Sequence, residues 1–457
     1  MSARRPRRTL AARVAHTLAR VVTTADLRKK LLFSLGLIVL FRFGANLPVP
    51  GISEQNVRYR SGLANTSSSP VAGVFAMLNV LSGNALLHVA VFASGITPYI
   101  TASIIVQLLT QVIPRLEKLK QEGQAGTAKI TQYTRYLTVG LAVLQSATYV
   151  ELARSGNLFP GTGCSAADHP LVPHPTAITL VTMLVTMVSG TSVIMWMGEL
   201  ITDRGIGNGM SVLIFTSTIA VVFGQMEQIY LTKGRFYTLL AVLVVVAVIA
   251  FVVFIERAQR RIPVQYTRRI VGRRMYGGSS TYIPVKVNQA GVVPVIFAAS
   301  LLYVPQLATL VFSDQAHPEA WARWVDSNLT FSSPSRVYFA LYFTLIVAFT
   351  FFYVSITFNP AEIADNMRKY GGFVPGIRPG RPTAEHLSYV LSRLTAPGSA
   401  YLGVLALFPM IALHLIGMGE QMLVGGTSLL IMVGVGLDTL KQIESQLRQH
   451  NYEGFLH

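Results

Sequence analysis

At 457 residues, with 51% hydrophobic and only 13% charged residues and a mean hydropathy of +0.49, the chain departs from a soluble domain, in which about a quarter of residues are charged. It reads as a polytopic membrane protein. The net charge of +18 is compatible with nucleic-acid binding, but the positive-inside rule explains such an excess equally well, and the placement of the basic residues decides between them. Cys164 is the only cysteine, which excludes an internal disulfide and a cysteine-pair metal site.

A membrane-spanning helix needs about 20 mostly apolar residues. An Arg-rich arm, 1–24, leads into the first such stretch at 27–47; it lacks a small-residue cleavage site, so this stretch reads as an uncleaved first span. Residues 71–86 are apolar but too short to cross, and Asn79, Ser82, Gly83 and Asn84 interrupt them. Such a piece either re-enters from one face or lies along the interface; a re-entrant piece beside a conducting path would act as a stopper. Further stretches follow at 90–110, 134–154, 176–200, 209–230, 237–257, 287–311, 337–358, 397–416 and 424–442.

Two short motifs recur along these stretches, once in each half. Gly95-Ile-Thr-Pro98 is matched by Gly291-Val-Val-Pro294, and Gly209-Met-Ser-Val-Leu-Ile214 by Gly426-Thr-Ser-Leu-Leu-Ile431. Duplicated Gly- or Pro-interrupted membrane segments indicate a transport fold of two related halves around a central path. Lys and Arg concentrate in the N-terminal arm and in 111–135, 256–286 and 359–393. Segments 155–175 and 416–425 have none, and 312–336 has only Arg323 and Arg336. This alternation places both termini in the cytosol and accounts for much of the positive charge without nucleic acid. The expected fold is therefore all-α and polytopic. Ten transmembrane helices form two inverted five-helix halves, 25–235 and 236–443, followed by a cytosolic tail, 444–457.

Chemistry is sparse. There is no P-loop and no His-Glu-x-x-His or cysteine metal pattern, and no catalytic residue, metal or cofactor is expected. Ion-coupled transporters bury ionisable groups near the midplane. Here Arg42, Glu151, Glu199, Glu256 and Asp438 fall toward the ends of spans, which disfavours a secondary transporter of a small solute, the alternative reading. What remains is apolar or weakly polar. Thr97, Thr101, Ser103 and Gln107 in the second span and Asn288 and Gln289 in the seventh are ordinary helix–helix contacts or mark a weak seam that opens. Ile96 and Ile100 follow Gly95, Ile296 follows Pro294, and Ile214 and Ile431 end the two Gly-x-Ser motifs. Lipid-facing isoleucine is the default, but matched positions in both halves suit a hydrophobic constriction that excludes ions by dewetting.

Several longer motifs carry a resemblance. Phe92-Ala-Ser-Gly-Ile-Thr-Pro-Tyr-Ile-Thr-Ala-Ser-Ile-Ile-Val-Gln-Leu-Leu109 and Gly198-Glu-Leu-Ile-Thr-Asp-Arg-Gly-Ile-Gly-Asn-Gly-Met-Ser211 are followed by Arg261-Ile-Pro-Val-Gln-Tyr266, Gly272-Arg-Arg-Met-Tyr276, Tyr370-Gly-Gly-Phe-Val-Pro-Gly-Ile-Arg-Pro-Gly380 and Ser392-Arg-Leu-Thr395. In this order they resemble the SecY family of bacterial protein-export channel subunits, over about residues 25–456. Two departures are Thr97, where methionine is common, and Arg381, where glutamate or glutamine is usual.

The resemblance implies a passive protein-conducting channel of the bacterial cytoplasmic membrane. It passes unfolded preproteins outward, binds signal sequences and releases apolar segments sideways into membrane lipid. It implies a pore ring of Ile96, Ile100, Ile214, Ile296 and Ile431, and a plug at about 71–84 that includes Val74, Phe75, Leu78, Asn79 and Leu81. It also implies a lateral gate, between spans 2–3 and 7–8, with Thr97, Gln107 and Asn288. The loops at about 256–286 and 359–396 resemble the docking surface for the SecA motor ATPase and the ribosome, and Arg378 matches a loop arginine important for translocation. Arg268, Arg269, Arg273 and Arg274 suit rRNA phosphates, although positive-inside bias explains these charges about as well. SecE and SecG are the implied partner subunits.

Overall fold

The computed structural model describes residues 25–64, 82–83, 85–86, 88–156, 158, 170–266, 269–271, 274–276, 280–312, 319–329, 335–415 and 426–453. The chain divides into two compact units. One draws its described residues from 25–64, 82–223 and 435–453, and the other from 224–434.

In the first unit, α1 (Ala25–Asn46) and the short α2 (Glu54–Ala64) precede α3 (Thr97–Val112), α4 (Pro114–Gln121), α5 (Gln124–Arg154), α6 (Ala177–Arg204) and α7 (Gly209–Lys233), whose last residues pass into the second unit. α3 packs on α5, α5 on α6 and α1 on α6. The side chains of Met183, Met187, Ile194, Met197 and Ile201 recur on one face of α6 and are at most 1% exposed. That spacing is the helical period of an inward stripe. α3 and α4 meet at a bend of 96°, where Ile113 is extended and Pro114 starts the next helix. A residue before proline is pushed out of the helical region, which places the break there.

The second unit begins with the end of α7 and continues through α8 (Arg235–Glu256), β1 (Gln259–Tyr266), β2 (Arg269–Val271), β3 (Arg274–Tyr276), β4 (Ser280–Lys286) and α9 (Val293–Phe312). α10 (Ala320–Asn328), α11 (Arg336–Thr357), α12 (Pro360–Lys369), β5 (Gly372–Phe373), α13 (Arg381–Leu415) and the start of α14 (Gly426–Glu453) complete it. α11 packs against α9 and α13, and α12 against α13. Side-chain caps begin two of these helices: Ser335 Oγ accepts from Tyr338 N at 3.2 Å, and Asn359 Oδ1 accepts from Ala361 N and Glu362 N.

A described helix overlaps each of the ten predicted stretches. Among the described residues, five helical stretches are long and apolar enough to cross a membrane, and the bent α3–α4 pair qualifies as a sixth. Lipid offers hydroxyl groups no partner, so they must bond within the protein. Along the helices they reach back one turn, as in Thr138 Oγ1 to Thr134 O (2.7 Å), Thr350 Oγ1 to Ile346 O (2.6 Å) and Thr218 Oγ1 to Ile214 O (2.9 Å). On α8, Phe236, Leu239, Leu243 and Phe254 are exposed, an apolar face suited to acyl chains.

The structure differs from the expected elements in several places. The second stretch is helical only from Thr97, because Ala90 forms a β-bridge and 91–96 are turns. The third begins ten residues early, so part of the basic segment 111–135 is helix. The segment 359–396 is α12, a short strand and the first turns of a 35-residue α13. The last helix runs through most of the expected tail, to Glu453.

Candidate functional site

The duplicated Gly-x-x-Pro motif produces the same backbone twice. Gly95 has φ +58° and Gly291 has φ +65°. Two residues after each glycine a helix begins, and the proline is its second residue. Glycine tolerates a positive φ, and proline is preset for the first helical turn, where its missing N–H forfeits no hydrogen bond. The Gly-x-Ser motifs behave alike: Gly209 and Gly426 are each the first residue of a helix. Ile100, Ile296, Ile214 and Ile431 each stand five residues after the glycine of their motif, within the first two helical turns. Ile96, Ile214 and Ile431 are buried, and Ile100 and Ile296 half-buried. The first unit contains Ile96, Ile100 and Ile214; the second contains Ile296 and Ile431.

The segment that delivers Ile96 is held from three sides within its unit. Phe92 stacks on Phe41 of α1 with ring centroids 5.8 Å apart, and Pro48 forms a β-bridge with Ala90. Val49 N donates to Val89 O, and Val91 N to Leu47 O. A Cβ on Gly190 of α6 would lie 2.2 Å from Val91 O, so α6 approaches this segment as closely as backbone allows. Ser94 and Ser146 share a buried hydrogen bond of 3.0 Å, which ties it to α5.

The gate residues divide between the units. Gln107 is exposed on α3, with its Nε2 3.5 Å from Ser103 Oγ, and the Thr97 carbonyl accepts from Thr101 Oγ1 at 3.0 Å. Asn288, in the second unit, is 3% exposed. Its Nδ2 donates to Glu256 Oε1 at 2.6 Å and to Gly291 O at 3.3 Å, and its Oδ1 accepts from Gly291 N at 3.0 Å. Asn288 therefore fixes both the end of α8 and the left-handed glycine that opens α9. Sequence reasoning set Glu256 aside as a helix-end charge. A signal existed: a carboxylate in the last turn of a helix opposes the helix dipole and needs a compensating donor.

The outer strands of the first expected docking loop share one apolar cluster with the second. β1 pairs antiparallel with β4 from Gln259↔Lys286 to Gln265↔Ser280, and with β5; β2 pairs with β3 from Arg269↔Tyr276 to Val271↔Arg274. Ile262, Val264 and Val285 point inward and cluster with Val354, Met367, Val374, Leu387 and Leu391 from α11, α12, α13 and the intervening loop. The alternation in 261–266 and 281–286 was a readable strand signal that the loop assignment missed. Arg261 lies over the Tyr282 ring, 4.8 Å from its centroid. Arg378 is exposed on a loop shaped by Gly376 (φ +82°) and Gly380 (φ +103°), and its carbonyl accepts from Thr383 Oγ1 at 2.8 Å. Arg269 and Arg274 occupy strand positions. Arg268, Arg273 and the plug residues Val74, Phe75, Leu78, Asn79 and Leu81 lie outside the described residues.

The model of the SecY family matches residues 90–440. The chain is 56% identical over 442 residues to the protein translocase subunit SecY of Streptomyces scabiei, covering 96% of this chain and 99% of that one. It is 53% identical over 440 residues to the protein of the same name from Mycobacterium tuberculosis, covering 95% and 98%. Two solved structures share the fold over 91% of both chains at 18% identity. One is described as a protein-conducting channel (TM-score 0.57), the other as a SecY protein whose plug domain stabilises the closed state of the translocation channel (TM-score 0.59).

Proposed function

The chain belongs to the SecY family, and from that premise we propose that it forms a protein-conducting channel in the bacterial cytoplasmic membrane, with both termini in the cytosol. The match to translocase subunits along nearly the whole chain carries this reading. No observation favours a small-solute transporter.

Physics supplies the need for such a channel. Each bare backbone group exposed to lipid costs several kcal/mol, so an unfolded chain requires a lined, wet path. Ile96, Ile100, Ile214, Ile296 and Ile431 act as the narrow aliphatic waist. It closes by dewetting against ions and yields to a threaded peptide. Thr97, Gln107 and Asn288 border a side opening. Apolar segments leave through it, because Leu-rich segments gain about 0.5 kcal/mol per residue in lipid while each Lys or Asp loses about 3. The residues at about 71–84 serve as the plug.

The channel acts without catalytic residues of its own, and work comes from a partner. The hairpin 259–286 and the Arg378 loop, joined by one apolar cluster, are the surface offered to SecA or to ribosomal RNA phosphates; SecE and SecG complete the complex. The test is Ile100→Cys crosslinked to an arrested secretory chain. Crosslinks that depend on the arrested chain support the waist. Labelling of this position only from the lipid phase would remove it from the path.

A further inference from the structure

We propose that Arg42 is a positioning residue that fixes the spacing between the segments bearing Ile96 and Ile214; the inference rests on the channel reading. Arg42 lies on α1, half-buried. Its Nη1 donates to Gly83 O at 3.0 Å and its Nη2 to Thr216 O at 2.7 Å. Gly83 lies at the end of the stretch proposed as the plug and ahead of the turns 91–96 that end in Ile96, and Thr216 is two residues beyond Ile214 on α7. One guanidinium therefore joins three chain segments that are distant in sequence, all within the first unit.

Three observations make this more than a surface contact. Gly83 has φ +68°, and a Cβ there would lie 3.1 Å from Ser217 Cα, so the turn is pressed onto α7 where Arg42 also bonds. Among the described residues no carboxylate forms an ion pair with Arg42, and its charge is met by two carbonyl oxygens. On the proposed topology it also sits toward the outer end of the first span, against the positive-inside bias. An intramembrane cation in such a place calls for a specific role.

The chemistry selects arginine. A planar fork presents two donors to two separate acceptors at once, whereas a lysine ammonium is a point charge on a flexible stem. Charge-assisted hydrogen bonds are about twice as strong as neutral ones. Movement of the turn away from α7 would leave the half-buried guanidinium short of an acceptor, so the bridge resists any widening between the two isoleucine-bearing segments.

The test uses the full channel complex with Cys164→Ser and Ser82→Cys, because Ser82 is buried beside Gly83. The rate of labelling by a membrane-impermeant maleimide without substrate reports how firmly the turn is held. Arg42→Met should raise that rate by about tenfold or more, and Arg42→Lys should fall between it and the parent. Thr216→Val keeps the carbonyl and should leave the rate unchanged. Resting ion conductance in planar bilayers should rise in the same order. If Arg42→Met does not assemble, Arg42→Lys and Arg42→Gln provide the comparison. Parental labelling and conductance in properly assembled Arg42 variants would overturn the proposal. A labelling change in a complex that passes no secretory chain would uphold the bridge and sink the channel reading instead.

Discussion

Asn288 gives its amide to the Glu256 carboxylate across 2.6 Å, and the same side chain accepts from and donates to Gly291. One amide thus fastens the end of α8 to the glycine that starts α9. Asn288→Leu should take a donor from a buried carboxylate and cost about 1–3 kcal/mol. Glu256→Gln, which keeps an acceptor oxygen, should cost less. Thermal melting of the purified complex in detergent distinguishes the two; equal melting of parent and Asn288→Leu would show that the contact is not maintained in solution.

Two helical glycines should respond in opposite directions. Gly190→Ala would place a methyl 2.2 Å from a backbone carbonyl that has no flexible end to yield, and overpacking of this kind costs about 1–3 kcal/mol. Gly140→Ala meets nothing within 4 Å and should stabilise by about 0.5–1 kcal/mol by restricting the unfolded chain. Melting temperatures of the two variants should straddle that of the parent.

Arg135 and Glu199 form two parallel hydrogen bonds of 2.8 Å between α5 and α6. The arginine side chain is 49% exposed, so solvent screens the pair and its coupling should be about 1 kcal/mol or less. A double-mutant cycle of Arg135→Gln and Glu199→Gln measures it. Coupling several-fold larger would show that the pair is shielded in the assembled membrane complex.

Val264→Asp puts a charge into the apolar root shared by the hairpin and α12–α13. The hairpin should then detach, gain protease cleavage within 259–286 and lose motor and ribosome binding, while membrane insertion persists. Joint reversal of Arg268, Arg269, Arg273 and Arg274 to Glu should weaken ribosome binding at least about tenfold and flatten its salt dependence, without new cleavage. Unchanged binding in the charge-reversed protein would leave those arginines as topology determinants only.

The repeated glycine motifs were legible in the sequence as repeats, but the helix starts at the two Gly-x-x-Pro motifs were not: the expected stretches open at 90 and 287, and the helices begin at Thr97 and Val293. A glycine at positive φ and a proline in the first turn are properties of a few adjacent residues, and the helices begin where those residues stand. The strands were less legible. Their alternation was present in 261–266 and 281–286, but high charge favoured reading the segment as a solvated loop. Arg42 and Glu256 were visible as charges near the ends of apolar stretches and set aside, since nothing in their neighbourhood along the chain names a partner.

The sequence by itself determined the helical membrane class, the positions of the apolar segments and the recurrence of the duplicated motifs. Hydropathy, periodicity and φ preference act over one or a few turns of chain. Only the tertiary structure decided that Arg42 reaches a carbonyl 174 residues away, that Glu256 is held by Asn288, and that two separate basic segments share one apolar root. A hydrogen-bond partner is chosen by which backbones fold together, and a polar side chain carries no record of that choice in the residues beside it.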